Sequence, residues 1–140
     1  DIKSFSMTGQ RRDLNREKFK SENLLAVLNN PESNANKNLK YLRNAMDVRS
    51  ELKQFHPCSE MKCLSKGRSD IVVIKRGKGP ESIFAIHNMT ENKINYQLND
   101  IDLPKIIDND FNTNDFLTST KYNCKNISLD PFQVIWLSAL

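Results

Sequence analysis

The chain has 140 residues and a formal net charge of +4, and 38% of its residues are hydrophobic and 27% charged. This is the composition of a globular protein, and its longest apolar runs, at 71–74 and 134–137, are far shorter than the roughly 20 residues of a transmembrane helix. The basic residues form no stripe of one sign with aromatic platforms between them, so neither a membrane nor a nucleic acid is expected as a partner.

Two helices are predicted after an irregular opening segment, residues 1–20, which has no sustained apolar period. Ser21 is the expected N-cap of a short helix that ends at the breakers around Pro31. A second helix is predicted over 33–55. Its apolar residues recur at spacings of three and four in two adjacent stripes: Leu39, Leu42 and Met46, then Tyr41, Ala45, Val48, Leu52 and Phe55. So broad an apolar surface predicts neighbours on more than one side of this helix.

After Pro57 the apolar period changes from helical to alternating, which predicts a second domain made of strands. The predicted strands are 59–64, 70–77, 81–89, 92–98, 115–119, 125–129 and 132–137. The short connections at 76–81 and 88–93 predict antiparallel hairpins in chain order. The Asp- and Asn-rich stretch 100–114 is expected to be a loop, and it lacks the Gly and the terminal Glu of a calcium-binding loop.

Few residues carry a chemical motif. His56 and His87 are far apart in sequence, so a structural role is expected for each, and no metal or cofactor site is predicted. Cys58, Cys63 and Cys124 form no C-x-x-C pair and are an odd number, which favours a reducing, cytoplasmic setting. There is no nucleophile elbow and no phosphate-binding loop.

The run TGQRRDLNREKF places three arginines, Arg11, Arg12 and Arg16, in the irregular opening segment. Guanidinium groups have five donors and can hold sugar hydroxyls, carboxylates or phosphates. The competing interpretation is a solvated loop in which the arginines pair with Asp13 and Glu17. Spacing alone does not decide between the two.

Five segments, in order along nearly the whole chain, carry a family resemblance: TGQRRDLNREKF, LRNAMDVRSELKQFHP, IFAIHNMTENKINYQL, DFLTS and LDPFQVIWL. Together they resemble the C-terminal part of sucrose-phosphorylase-like enzymes of the alpha-amylase clan. The resemblance implies an α+β excerpt of a longer protein, which also fits a start without Met. Residues 1–56 would be the last loop and closing helices of a (β/α)8 barrel, and residues 57–140 a small antiparallel β-sandwich domain.

The same resemblance implies a retaining transfer from a small α-glucoside such as sucrose or glucosylglycerate, with inorganic phosphate as acceptor. The catalytic carboxylates would lie upstream, so the 140-residue chain itself would be inert. Arg16 matches the arginine that binds the glucosyl unit in this clan, and Asn15 and Gln10 are weaker candidates from the same loop. The alternative is a non-catalytic β-sandwich module for protein interaction or carbohydrate binding.

Overall fold

The computed structural model describes residues 2–12, 19–65, 67–98 and 112–138. The chain divides into two compact units, Asp1–Arg43 and Asn44–Leu140. The second unit therefore begins inside the long helix rather than at Pro57, so the last turns of that helix fold together with the strands. The predicted boundary between barrel and β-domain at 56 and 57 stays a prediction.

The opening segment contains a helix that was not predicted, α1 (Ile2–Thr8). It has no buried residue and no apolar stripe, so it leaves no periodic signal. Its hydroxyl side chains bond back along the helix, Ser6 Oγ to the carbonyl of Ile2 and Thr8 Oγ1 to that of Ser4, each at 3.0 Å. Gly9 ends the helix with a φ of 67°, a left-handed conformation that costs glycine little.

The two predicted helices are present as α2 (Ser21–Asn29) and α3 (Asn34–Glu51). The N-cap position of α2 is held by Lys20 without a side-chain bond, so the prediction of Ser21 as N-cap is wrong: Ser21 is the first helical residue. Ser33 caps α3, since its Oγ accepts the Asn36 N–H at 3.1 Å. Beyond α3 the predicted last turn is a separate 3-10 turn, Lys53–Phe55.

The strands of the second unit are all antiparallel. They are β1 (Met61–Cys63), β2 (Ile71–Arg76), β3 (Ile83–Asn88), β4 (Ile94–Tyr96), β5 (Asn112–Asn114), β6 (Lys121–Asn123), β7 (Ile127–Leu129) and β8 (Val134–Ser138). The main sheet has the order β1-β2-β3-β8, and β4 pairs with β7 and β5 with β6. The α+β, antiparallel character is confirmed, whereas barrel helices are not shown.

Three details of the strand prediction are wrong. The run 115–119, predicted as a strand, is an isolated bridge at Asp115 followed by a turn. Strand β5 lies within the predicted loop, and β6 lies between two predicted strands. The 88–93 connection does not close a hairpin, because β3 pairs with β8 and β4 with β7. Residues 100–111 of the predicted loop lie outside the described residues.

Strand β3 is buried on both faces of the main sheet, which explains its central place. One face carries Val73, Phe84, Ile86, Ile135 and Leu137, which pack with residues of the β4–β7 side such as Ile127 and Leu129. The other face carries Ile83, Ala85 and Trp136, and the end of α3 covers it. None of the helices in the described ranges is both long and apolar enough to cross a bilayer.

Candidate functional site

The predicted sugar-binding residues can be located only in part. Arg16 and Asn15 lie outside the described residues. Gln10 is exposed just beyond α1, and its backbone N–H donates to Thr8 Oγ1 at 3.2 Å. Arg11 is exposed as well. The described residues therefore do not test the proposed sugar site.

The best-defined feature of the second unit is the contact of α3 with the main sheet, which we call the helix–sheet interface. One stripe of the helix and the turn after it packs on the sheet residues Ile83, Ala85 and Trp136; its members are Ala45, Val48, Leu52 and Phe55. At its centre the rings of Phe55 and Trp136 lie 4.5 Å apart between centroids, tilted by 39°. These positions recur at three- and four-residue spacing, so the second predicted stripe is confirmed as the packed one from Ala45 onward, whereas its first member, Tyr41, is 70% exposed.

A polar cluster holds one end of this interface. Arg76 on β2 donates from Nε to the carbonyl of Gln54 at 3.1 Å and from Nη2 to that of His56 at 2.8 Å. Gln54 Nε2 in turn donates to the carbonyl of Glu81 at 2.7 Å. Gly77 is packed so closely that a Cβ there would lie 2.9 Å from Gln54 Cγ, and its φ is 82°. The turn after α3 is thereby fixed on the β2–β3 hairpin.

The turn at Asp115 holds the interface at a second place. The Asp115 carboxylate is buried, with 1% of its surface exposed, and accepts the backbone N–H of Trp136 at 2.7 Å and of Leu117 at 3.2 Å. Its other oxygen accepts the Thr118 hydroxyl at 2.6 Å. The carbonyl of Leu117 accepts Asn44 Nδ2 of α3 at 3.0 Å. The turn thus joins β8 to the helix.

Sequence reasoning missed both polar clusters. The segment DFLTS predicts a strand because it contains apolar and β-branched residues. An Asp followed three residues later by Thr is equally a turn signal, since both side chains bond to nearby backbone groups. The role of Arg76 left no local signal, because its acceptors lie in another part of the chain.

The other predicted stripe of α3 is largely uncovered. Leu42 is 58% exposed and Met46 61%, and no residue of α3 is buried. On α2, Leu24, Leu25 and Val27 are between 43% and 57% exposed. Large apolar side chains that recur on one helix face are seldom left in water over several turns. We call Leu42 and Met46 the open face of α3.

A cleft of about 520 Å³ lies between the Lys53–Phe55 turn and the β2–β3 hairpin. Its cationic groups are paired, Lys53 with Glu81 at 2.7 Å and Lys78 with nearby Glu60 at 3.3 Å. Such exposed pairs contribute little energy and leave little net charge for a ligand.

The titratable residues of interest are dispersed in the described part of the chain, where no group of three metal-binding side chains occurs. Burial lowers the pKa of His87 on β3, and it raises the pKa of the Cys124 thiol to about 11. His56 is exposed, and its Nδ1 accepts the Cys58 N–H at 3.2 Å. None of these groups is arranged with a partner for acid–base or nucleophilic chemistry.

No protein-family model matches the chain, and neither does any curated protein. Among solved structures, the fold is similar to that of the trehalose-6-phosphate hydrolase of Bacillus licheniformis, with a TM-score of 0.52 and 17% sequence identity. A mutant of that enzyme in complex with PNG gives the same two values.

The match to the hydrolase covers 80% of this chain but only 19% of the hydrolase chain. At this identity the likeness concerns the fold alone.

Proposed function

We propose that this chain is the C-terminal portion of an alpha-amylase-clan enzyme that acts on a small α-glucoside. The observation that carries the proposal is the asymmetry of α3, one stripe of which packs on the β-sheet while the open face stays in water. A helix apolar on two sides is suited to lie between two bodies. The fold likeness covers only 19% of the hydrolase chain, which fits a second, larger body, and the sequence resemblance implies that this body is a barrel.

In this proposal the second unit acts as a brace. Arg76 and the Asp115 turn fix α3 against the sheet, and the open face then meets the barrel. Burying a large apolar side chain there would contribute roughly 1.5–3 kcal/mol. The open face would thus add several kcal/mol to the free energy that holds the barrel and the second unit together.

The finer part of the proposal concerns the reaction. The guanidinium N–H groups of Arg16 would donate to hydroxyls of the glucosyl unit, assisted by Asn15 and Gln10. Two carboxylates from the barrel would carry out the retaining transfer, one as nucleophile and one as acid and base. Inorganic phosphate would accept the glucosyl group, and no cofactor or metal would be needed. A cytoplasmic setting belongs to the same proposal.

The test is an assay of the full-length protein for release of glucose 1-phosphate from sucrose and from glucosylglycerate in the presence of phosphate. Hydrolysis of trehalose 6-phosphate is a third arm, because that is the activity named for the similar structure. Arg16→Ala should lower activity on the true substrate at least tenfold. Arg68→Ala, which removes an arginine paired with Asp70 on the surface of the second unit, is the matched control.

If none of the three substrates reacts, the enzyme proposal fails. If one reacts and both variants keep full activity, only the assignment of Arg16 fails.

A second candidate, a non-catalytic interaction or carbohydrate-binding module, is favoured by the well-formed core of the second unit. It predicts that the purified 140-residue chain is monomeric and unfolds in one cooperative step. The enzyme proposal predicts instead that the open face makes the chain self-associate. Sedimentation at several protein concentrations, with Leu42→Gln as a comparison, separates the two outcomes.

A further inference from the structure

We draw no further inference here: the strongest candidate, the cleft between the Lys53–Phe55 turn and the β2–β3 hairpin, carries none, because Lys53 and Lys78 are already paired with carboxylates and the unpartnered buried polar atoms found in the described residues, in Asn36 and Trp136, do not line it.

Discussion

Arg76 on strand β2 donates two hydrogen bonds to the carbonyl groups of Gln54 and His56, at 3.1 and 2.8 Å. Both carbonyls belong to the turns that follow α3, and that of His56 also accepts the Ser59 N–H at 2.9 Å. The Arg76 side chain therefore joins the segment after α3 to the β2–β3 hairpin.

Replacing Arg76 with methionine keeps much of the apolar stem and removes both hydrogen bonds. We expect the free energy of unfolding to fall by about 1–3 kcal/mol, because two carbonyls lose a charged donor. Urea denaturation followed by circular dichroism measures this change. Lys78→Met on the same hairpin removes only an exposed ion pair and should change stability little; equal effects of the two variants would contradict the role of Arg76.

The contact of Phe55 with Trp136 offers a direct optical probe, since Trp136 is the only tryptophan of the chain. Phe55→Ala should expose the indole, shift its emission to the red and destabilise the second unit by about 2 kcal/mol or more, less than the 3–5 kcal/mol typical of a fully buried phenylalanine. Tyr41→Ala, at an exposed position of α3, should leave the emission unchanged. A red shift of the same size in both variants would mean that the packed stripe is assigned wrongly.

The Asp115 turn should be more sensitive to loss of the acceptor than to loss of the charge. Asp115→Ala leaves the backbone N–H groups of Trp136 and Leu117 without their partner, and we expect a loss of about 2 kcal/mol or more. Asp115→Asn retains one carbonyl oxygen for these donors and should cost less. Thermal unfolding of the two variants compares the losses, and equal losses would show that the charge matters more than the acceptor.

We expect the free energy of unfolding to fall in acid because of His87. Burial lowers its pKa in the folded state, so the unfolded chain, with a pKa near the ordinary value of 6.5, binds the proton more readily. The contribution of neutral His87 to the free energy of unfolding is fully present above pH 6.5 and is lost as the pH falls through the lowered folded-state pKa.

The measurement for His87 is the urea midpoint over the range from about pH 8 to about pH 5. His87→Gln should flatten the curve. A curve left unchanged by His87→Gln would rule out this source of acid sensitivity.

The three cysteines should differ in reactivity. Cys58 and Cys63 are exposed, whereas Cys124 is buried and its pKa is raised to about 11 by that burial. Only the thiolate is nucleophilic, so iodoacetamide at neutral pH should label the two exposed residues first and Cys124 only after denaturation. Peptide mass spectrometry reads this order, and early labelling of Cys124 would contradict the described core.

The sequence predicts the parts of this fold that depend on local periodicity. The packed stripe of α3 from Ala45 to Phe55 and the apolar strands β2, β3 and β8 are recovered because their side chains recur or alternate regularly. The pairing of β3 with β8 and the strands β5 and β6 are not, because polar strands lack a pattern and pairing partners are chosen by long-range packing. The proposed sugar site rests on Arg16, which comes from family resemblance alone.

We propose that the open face of α3 is covered in the full-length protein. Oxidation of methionine by hydrogen peroxide tests it, because Met46 lies on that face at 61% exposure while Met89, at 55%, lies at the end of β3 and is an internal control. At protein concentrations low enough to keep the 140-residue chain monomeric, we predict that its Met46 is oxidised readily, and at least tenfold more slowly in the full-length protein, with the rate of Met89 unchanged. Equal rates for Met46 in the two proteins would contradict the account.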